Sequence, residues 1–377
     1  MASNNIQMVD LKSQYLNIKE DVDSAIQSVI DSTAFIKGPE VKKFAKELES
    51  YLDVKHVIPC GNGTDALQIA LMALGLKPGD EVVSVDFTFA ATVEVIGLMS
   101  LTPVFVDVDR GTFNMDVEAL KKVITPKTKA IIPVHLFGQC ANMEAIMKIA
   151  NEHNIFVIED TAQGIGAEYT FSNGDVKKAG TIGTIGTTSF FPSKNLGCFG
   201  DGGALFTNDS DLAGRLNAVV NHGMYKRYYH DEIGLNSRLD SIQAAILRVK
   251  LPLLDGYNKA RLDVATAYNK AFKVIEQLET PFIDEKSTHV FHQYTLKTIG
   301  VNRDKLIEFL KTKNIPAMVY YPVPLHLQKA YIQPNLKDSD FPITMDLCSS
   351  VVSLPIHTEM DNDQLNYIIE TVKEFFK

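Results

Sequence analysis

Between about residue 55 and residue 207, short apolar, β-branched runs alternate with longer stretches whose apolar positions recur at helical spacing. That alternation predicts a parallel sheet covered by helices, because parallel neighbours need long crossovers and bury their strands on both faces. The strand candidates are His56–Cys60, Glu81–Val85, Pro103–Asp107, Ala130–Val134, Ile155–Glu159, Thr187–Phe190 and Ala204–Thr207, a seven-stranded sheet whose first five members are separated by helix-length segments. Asp23–Thr33 and Glu40–Leu52 read as preceding helices, with Gly38-Pro39 supplying a break and a proline at a helix entrance. From Leu239 to about Ala271 the pattern is one long helix, or two interrupted near Pro252 and Gly256. Beyond it, Phe291–Ile299, Lys305–Lys313 and Asp361–Phe376 suggest a strand, a helix and a closing helix. The expected architecture is α/β: a large unit over 1–250 and a small C-terminal α+β unit over 251–377.

Composition narrows the classes. The 377 residues are 45% hydrophobic and 22% charged, ordinary for a chain that buries a sizeable core. A formal charge of -9 argues against nucleic acid as a partner, since phosphate backbones are met by basic surfaces. Cys60, Cys140, Cys198 and Cys348 are scattered without a C-x-x-C pair, which suggests reduced thiols rather than a zinc or redox motif. Residues 1–10 show no basic segment followed by an apolar run, and no uncharged apolar stretch approaches the ~20 residues of a membrane span. A cytoplasmic protein with no membrane partner is expected.

Three segments offer chemistry. Cys60-Gly61-Asn62-Gly63-Thr64 follows a strand and opens a helix over Thr64–Leu74, so backbone N–H groups at a helix N-terminus can close on an anion such as a phosphate. The same glycines also suit a plain tight turn. With Ala66 and the strand-closing Asp86 they further match a G-x-G-x-x-A dinucleotide fingerprint, which would make this a nicotinamide enzyme. Ile155–Asp160 is a buried-looking strand ending in two carboxylates, Glu159 and Asp160, where open α/β folds place ligands. Asp160 is a candidate partner for a protonated pyridine nitrogen, and a helix cap or a surface acid is the competing reading. Thr187–Gly203 places Lys194 after an apolar strand and inside a glycine-rich loop. A lysine partly desolvated there becomes the free amine that a carbonyl cofactor captures, although most loop lysines are simply solvated. His289 and His292 read as packed or solvated rather than as metal ligands, and no metal is expected.

Asn62-Gly63-Thr64, Asp86-Phe87-Thr88-Phe89-Ala90-Ala91-Thr92, Glu159-Asp160-Thr161-Ala162-Gln163, Ser189-Phe190-Phe191-Pro192-Ser193-Lys194, Gly200-Asp201-Gly202-Gly203 and Asn236-Ser237-Arg238-Leu239-Asp240 resemble, in order, the motifs of the DegT/DnrJ/EryC1/StrS sugar aminotransferases. The resemblance implies an aspartate-aminotransferase-like fold (fold type I), pyridoxal 5'-phosphate as cofactor, and a homodimer with active sites at its interface. It implies that Lys194 binds the cofactor and shuttles the proton, Asp160 pairs with the pyridine nitrogen, Gln163 sits near the ring hydroxyl and Phe89 stacks on the ring. Gly63, Thr64 and Ser189 would hold the phosphate, with Asn236 reaching it from the other subunit. Some family members that act as dehydratases have His where this chain has Lys194, so the lysine favours transamination.

The wording of Ser189–Gly203 and Pro133–Gln139 looks most like enzymes that use L-glutamate to aminate C3 of UDP-2-acetamido-3-keto-glucuronate, in O-antigen sugar biosynthesis. Uronate-processing relatives carry an arginine shortly before the Asn-Ser-Arg motif, where this chain has Glu232, and Lys226 or Arg227 could substitute. If neither does, a neutral UDP- or dTDP-linked 3-keto or 4-keto sugar fits better, because Glu232 would repel a carboxylate. Tyr229, Tyr321 and His326 are candidates for the substrate wall, beside Tyr228, His230 and Tyr320. A nicotinamide oxidoreductase, which leaves Lys194 and Asp160 without a purpose, and a non-catalytic regulator of the same fold are the competing classes.

Overall fold

The computed structural model describes residues 6–377. Seven strands form the central sheet: β1 His56–Cys60, β2 Glu81–Val85, β3 Thr102–Val106, β4 Thr128–Ile132, β5 Phe156–Asp160, β6 Ile185–Ser189 and β7 Gly203–Thr207. Their order is β1-β7-β6-β5-β4-β2-β3. All neighbours run parallel except at β7, which is antiparallel to both β1 and β6. Each predicted strand is present within a residue or two, and the reversed β7 is a long-range result that no local pattern encodes.

Both faces of the sheet are covered, which is why its strands read as continuous apolar runs. Val83, Ile131 and Val157 enter one buried cluster, with Phe87, Phe137 and Ile146. Their neighbours Val82, Ala130, Ile132 and Ile158 enter the cluster on the other face, with Leu67, Ile69 and Leu216. The period of two along each strand thus divides the core in half.

The topology places the strand ends that matter on one edge. Since β1, β2, β4, β5 and β6 share a direction, Cys60, Val85, Asp160 and Ser189 all close their strands on that edge, where the antiparallel β7 begins at Gly203. Open α/β sheets bind their ligands outside these carboxyl ends.

Residues beyond the sheet follow the expectation in outline. Lys19–Ser32 and Pro39–Leu52 are helical, and a further short helix, Leu11–Asn17, precedes them. The long pattern after Leu239 resolves into Ser241–Lys250, a 3-10 turn Leu251–Leu253 and Leu254–Phe272, so Pro252 sits at the break while Gly256 lies within a helix. A three-stranded antiparallel sheet follows, Leu278–Glu279, Tyr294–Thr298 and Val351–Leu354, packed by the helices Leu254–Phe272, Arg303–Thr312 and Asn362–Phe375. Ile6 packs into this same cluster, and the Ile356 N–H donates to the Met8 carbonyl at 3.2 Å. The N-terminal segment therefore shares the C-terminal core as well as preceding the large sheet. Among the described residues no helix is long and apolar enough to cross a membrane.

Candidate active site

The strand-end loops converge through close backbone contacts. Asn62 caps the helix Gly63–Ala73, its side-chain oxygen accepting the Asp65 N–H at 2.8 Å. At Gly63 a β-carbon would lie 2.7 Å from that of Ser189, and at Gly203 one would lie 2.4 Å from the Asn62 carbonyl oxygen. These two glycines let the helix N-terminus of Gly63 and Thr64 settle against Ser189, building a concave donor-rich end that suits a phosphate. Ser237, absent from the sequence-level candidates, braces this loop by accepting the Gly61 N–H at 2.9 Å.

The two carboxylates that close β5 have opposite fates. Glu159 is fully buried and accepts N–H groups from Gly180 (3.0 Å), Ile182 (2.7 Å) and Gly183 (2.6 Å). It also pairs with His135 Nε2 at 2.9 Å. Since His135 Nδ1 accepts the Ala141 N–H, Nε2 is the ring's donor toward Glu159. Glu159 is thus committed to the scaffold. Asp160 accepts only lightly by comparison, from the Ala162 N–H at 3.1 Å and the Thr92 hydroxyl at 2.9 Å. Its main chain is pinned to the segment after β4, with the Asp160 N–H on Pro133 O and the His135 N–H on Asp160 O.

Lys194 sits in a tight loop in which its own N–H donates to Phe191 O and the Cys198 N–H to Phe190 O, both at 2.8 Å. Burial lowers the Lys194 ammonium to about 8, while the Asp160 carboxylate opposes that shift by favouring the charge. The loop is anchored from behind. Lys250, 1% exposed, donates to Gly197 O at 2.6 Å. Asn195 donates to Asn258 Oδ1 at 2.7 Å and to Val290 O at 2.9 Å, leaving its oxygen for His292 Nδ1 at 3.3 Å. His289 stacks on Phe291, with centroids 3.7 Å apart. His289 therefore serves packing and His292 the anchoring of the loop.

Gln163 accepts the Phe137 N–H at 2.7 Å and donates to the Tyr321 hydroxyl at 3.1 Å. Phe89, 59% exposed, lies 6.4 Å from the Tyr321 ring. An exposed aromatic ring beside these polar groups offers a face on which a planar ring can stack. The structure thus gathers Gly63, Thr64, Phe89, Asp160, Gln163, Ser189, Lys194 and Tyr321 at one sheet edge.

The other candidates lie elsewhere. His326 is 3% exposed and sits inside the protein, where its N–H donates to Asp86 Oδ1 and its Nδ1 meets Asp86 Oδ2, both at 2.7 Å. It fastens the segment after Tyr321 to the end of β2 rather than opening onto a substrate wall, which corrects the expectation drawn for it. The same contact commits Asp86, the acid that a dinucleotide reading required. Lys226, Arg227 and Tyr229 stand on an exposed hairpin, Met224–Lys226 with Tyr229–His230, where Lys226 Nζ lies 4.7 Å from the Tyr229 ring centre and Arg227 4.9 Å from that of Tyr228. Asn236 is exposed and bridges Asn221. Glu232 is already paired, with Arg215 Nε at 2.9 Å and the Tyr225 hydroxyl at 2.8 Å.

An anion cradle at a helix start, a strand-end carboxylate, a depressed lysine and an open aromatic ring fit the phosphate, ring nitrogen, carbonyl carbon and ring face of pyridoxal phosphate. With the family match that follows, they mark the chain as a pyridoxal-phosphate-dependent aminotransferase. The chain belongs to the DegT/DnrJ/EryC1/StrS aminotransferase family, whose profile matches residues 16–373. It is 45% identical to a pleiotropic regulatory protein of Geobacillus stearothermophilus, over 99% of each chain. It is 43% identical to the UDP-2-acetamido-2-deoxy-3-oxo-D-glucuronate aminotransferase of Pseudomonas aeruginosa, over 96% of this chain and 98% of that one. Its fold matches a family aminotransferase of Brucella abortus with a TM-score of 0.93 at 41% identity, covering 98% and 99% of the two chains. NtdA of Bacillus subtilis, solved with bound PMP, matches with a TM-score of 0.90 at 30% identity, over 100% of this chain and 86% of that one.

Proposed function

We propose that this enzyme moves an amino group from L-glutamate to C3 of UDP-2-acetamido-2-deoxy-3-keto-glucuronate, as a cytoplasmic homodimer supplying amino sugars for a surface polysaccharide such as O-antigen. The observation that carries the substrate reading is the near full-length 43% identity to a relative named for that reaction. The state of Glu232 supports it: with Arg215 Nε and the Tyr225 hydroxyl on its two oxygens, this carboxylate is engaged within its own chain rather than presented to a sugar. Lys226 and Arg227, exposed on the neighbouring hairpin and in no ion pair among the described residues, would meet a C6 carboxylate.

When bound, pyridoxal phosphate supplies an electron sink and a carbonyl that captures amines. Gly63, Thr64 and Ser189 would hold its phosphate, Asp160 its ring nitrogen, Gln163 its ring hydroxyl and Phe89 its face. Lys194 Nζ would act as the base that takes the α-proton from glutamate in the first half-reaction and as the acid that protonates the sugar carbon in the second, two separate proton transfers. Burial to about 8 keeps workable fractions of both amine and ammonium near neutral pH, as a residue that is base in one step and acid in the next requires.

A second reading is kept because relatives named for a UDP-linked glucosamine derivative and for dTDP-linked deoxysugars are 40% and 36% identical. The test is mass-spectrometric detection of amination, with glutamate as donor, across UDP- and dTDP-linked 3-keto and 4-keto sugars with and without a C6 carboxylate. Conversion of the UDP-linked 3-keto uronate is expected. Conversion of neutral sugars alone would replace it with the second reading.

A further inference from the structure

Thr92 lies in the first turn of the helix Ala91–Leu98 and is 1% exposed. A buried threonine within a helix ordinarily returns its hydroxyl to a carbonyl one turn back. This one instead donates across the sheet edge to Asp160 Oδ2 at 2.9 Å, a residue 68 positions later in the chain. Its neighbours Val93, Val95 and Ile96 are buried and apolar, so a valine would suit the site by packing and only the hydroxyl distinguishes threonine. Thr88, also buried, stands 3.5 Å from the Thr92 oxygen, at the far end of a chain Thr88, Thr92, Asp160.

The two contacts on Asp160 are complementary. The Ala162 N–H takes Oδ1 from the following turn, and Thr92 takes Oδ2 from the opposite side. Together they fix the plane of the carboxylate and leave each oxygen further lone-pair capacity, whereas Glu159 beside it is saturated by four donors. We propose that Thr92 is a positioning residue for Asp160, its hydroxyl holding the carboxylate in the orientation that meets the cofactor's ring nitrogen. This rests on the reading of Asp160 as the ring-nitrogen partner.

The experiment compares Thr92→Val, Thr92→Ser and Asp160→Asn in the full-length holoenzyme by the rate of cofactor release on dilution, kcat and KM for the sugar, and melting temperature. Thr92→Val is expected to speed release and lower kcat by about ten- to a hundredfold, the scale of one hydrogen bond to a charged group, with the sugar KM unchanged. Thr92→Ser should restore both, and Asp160→Asn should exceed the valine effect. Should Thr92→Val lower the melting temperature, Thr92→Ala read against Thr92→Ser isolates the hydroxyl from the methyl group. Unchanged release in Thr92→Val, with Asp160→Asn impaired, overturns the role of Thr92 alone. Unchanged release in Asp160→Asn overturns the reading of Asp160 and the proposal with it.

Discussion

Adjacent acids at the end of β5 show how much a single side chain's role depends on what it touches. Glu159 and Asp160 are indistinguishable by charge and nearly so by sequence position, yet one is spent on four donors and the other accepts only two. Replacing Lys194 with Ala is expected to abolish turnover, since both proton transfers use its amine; retained activity in a steady-state assay would refute this. A second lysine gives a test of burial itself. Burial pulls the Lys250 ammonium down to about 8 from an ordinary 10.5. Between those pH values the unfolded chain binds the proton and the native chain does not, so this lysine's contribution to stability rises with pH across that window. Relative to Lys250→Met, the wild type should gain about 2 kcal/mol between pH 8 and pH 10 in urea unfolding. A flat difference would mean that Lys250 keeps its proton inside the fold.

Elements meet at distances that only particular residues allow. Gly63 occupies the first turn of its helix, where on propensity alone alanine should stabilise by up to about 1 kcal/mol. The 2.7 Å approach to Ser189 predicts the opposite for binding: Gly63→Ala should weaken cofactor affinity by about tenfold or more, with secondary structure by circular dichroism unchanged. Cofactor retention at the wild-type level would show that the cradle can open without loss. The register Cys60, Gly203, Ser189 across β1, β7 and β6 sets this approach. A glycine-rich stretch was visible at Gly200–Gly203, but not which strand it would be pressed against.

For the molecule as a whole, the exposed hairpin with Lys226, Arg227, Tyr228 and Tyr229, followed by exposed Ile233 and Asn236, has the aromatic and cationic make-up of an interface. A homodimer sharing residues between its sites predicts complementation. Lys194→Ala and Asn236→Ala, each impaired alone, should regain activity when co-expressed, because a mixed dimer keeps one site with both Lys194 and the partner's asparagine. At random pairing about a quarter of the sites recover, measured as specific activity. No recovery beyond the separate enzymes would place Asn236 in the site of its own chain, beside Ser237 and Gly61.

By itself the sequence determined the strands of the sheet and the loops that bear Gly63, Asp160 and Lys194, because apolar runs, glycines and a lysine after a strand are local features with local physical causes, while the kind of chemistry was carried by the resemblance of its motifs to a known family. The reversed β7, the commitment of Glu159 to four donors, the retreat of His326 behind Asp86 and the pairing of Glu232 with Arg215 were decided only in the tertiary structure. Each depends on a contact between segments far apart in the chain, and a side chain's hydrogen-bonding capacity is allotted only when those segments meet.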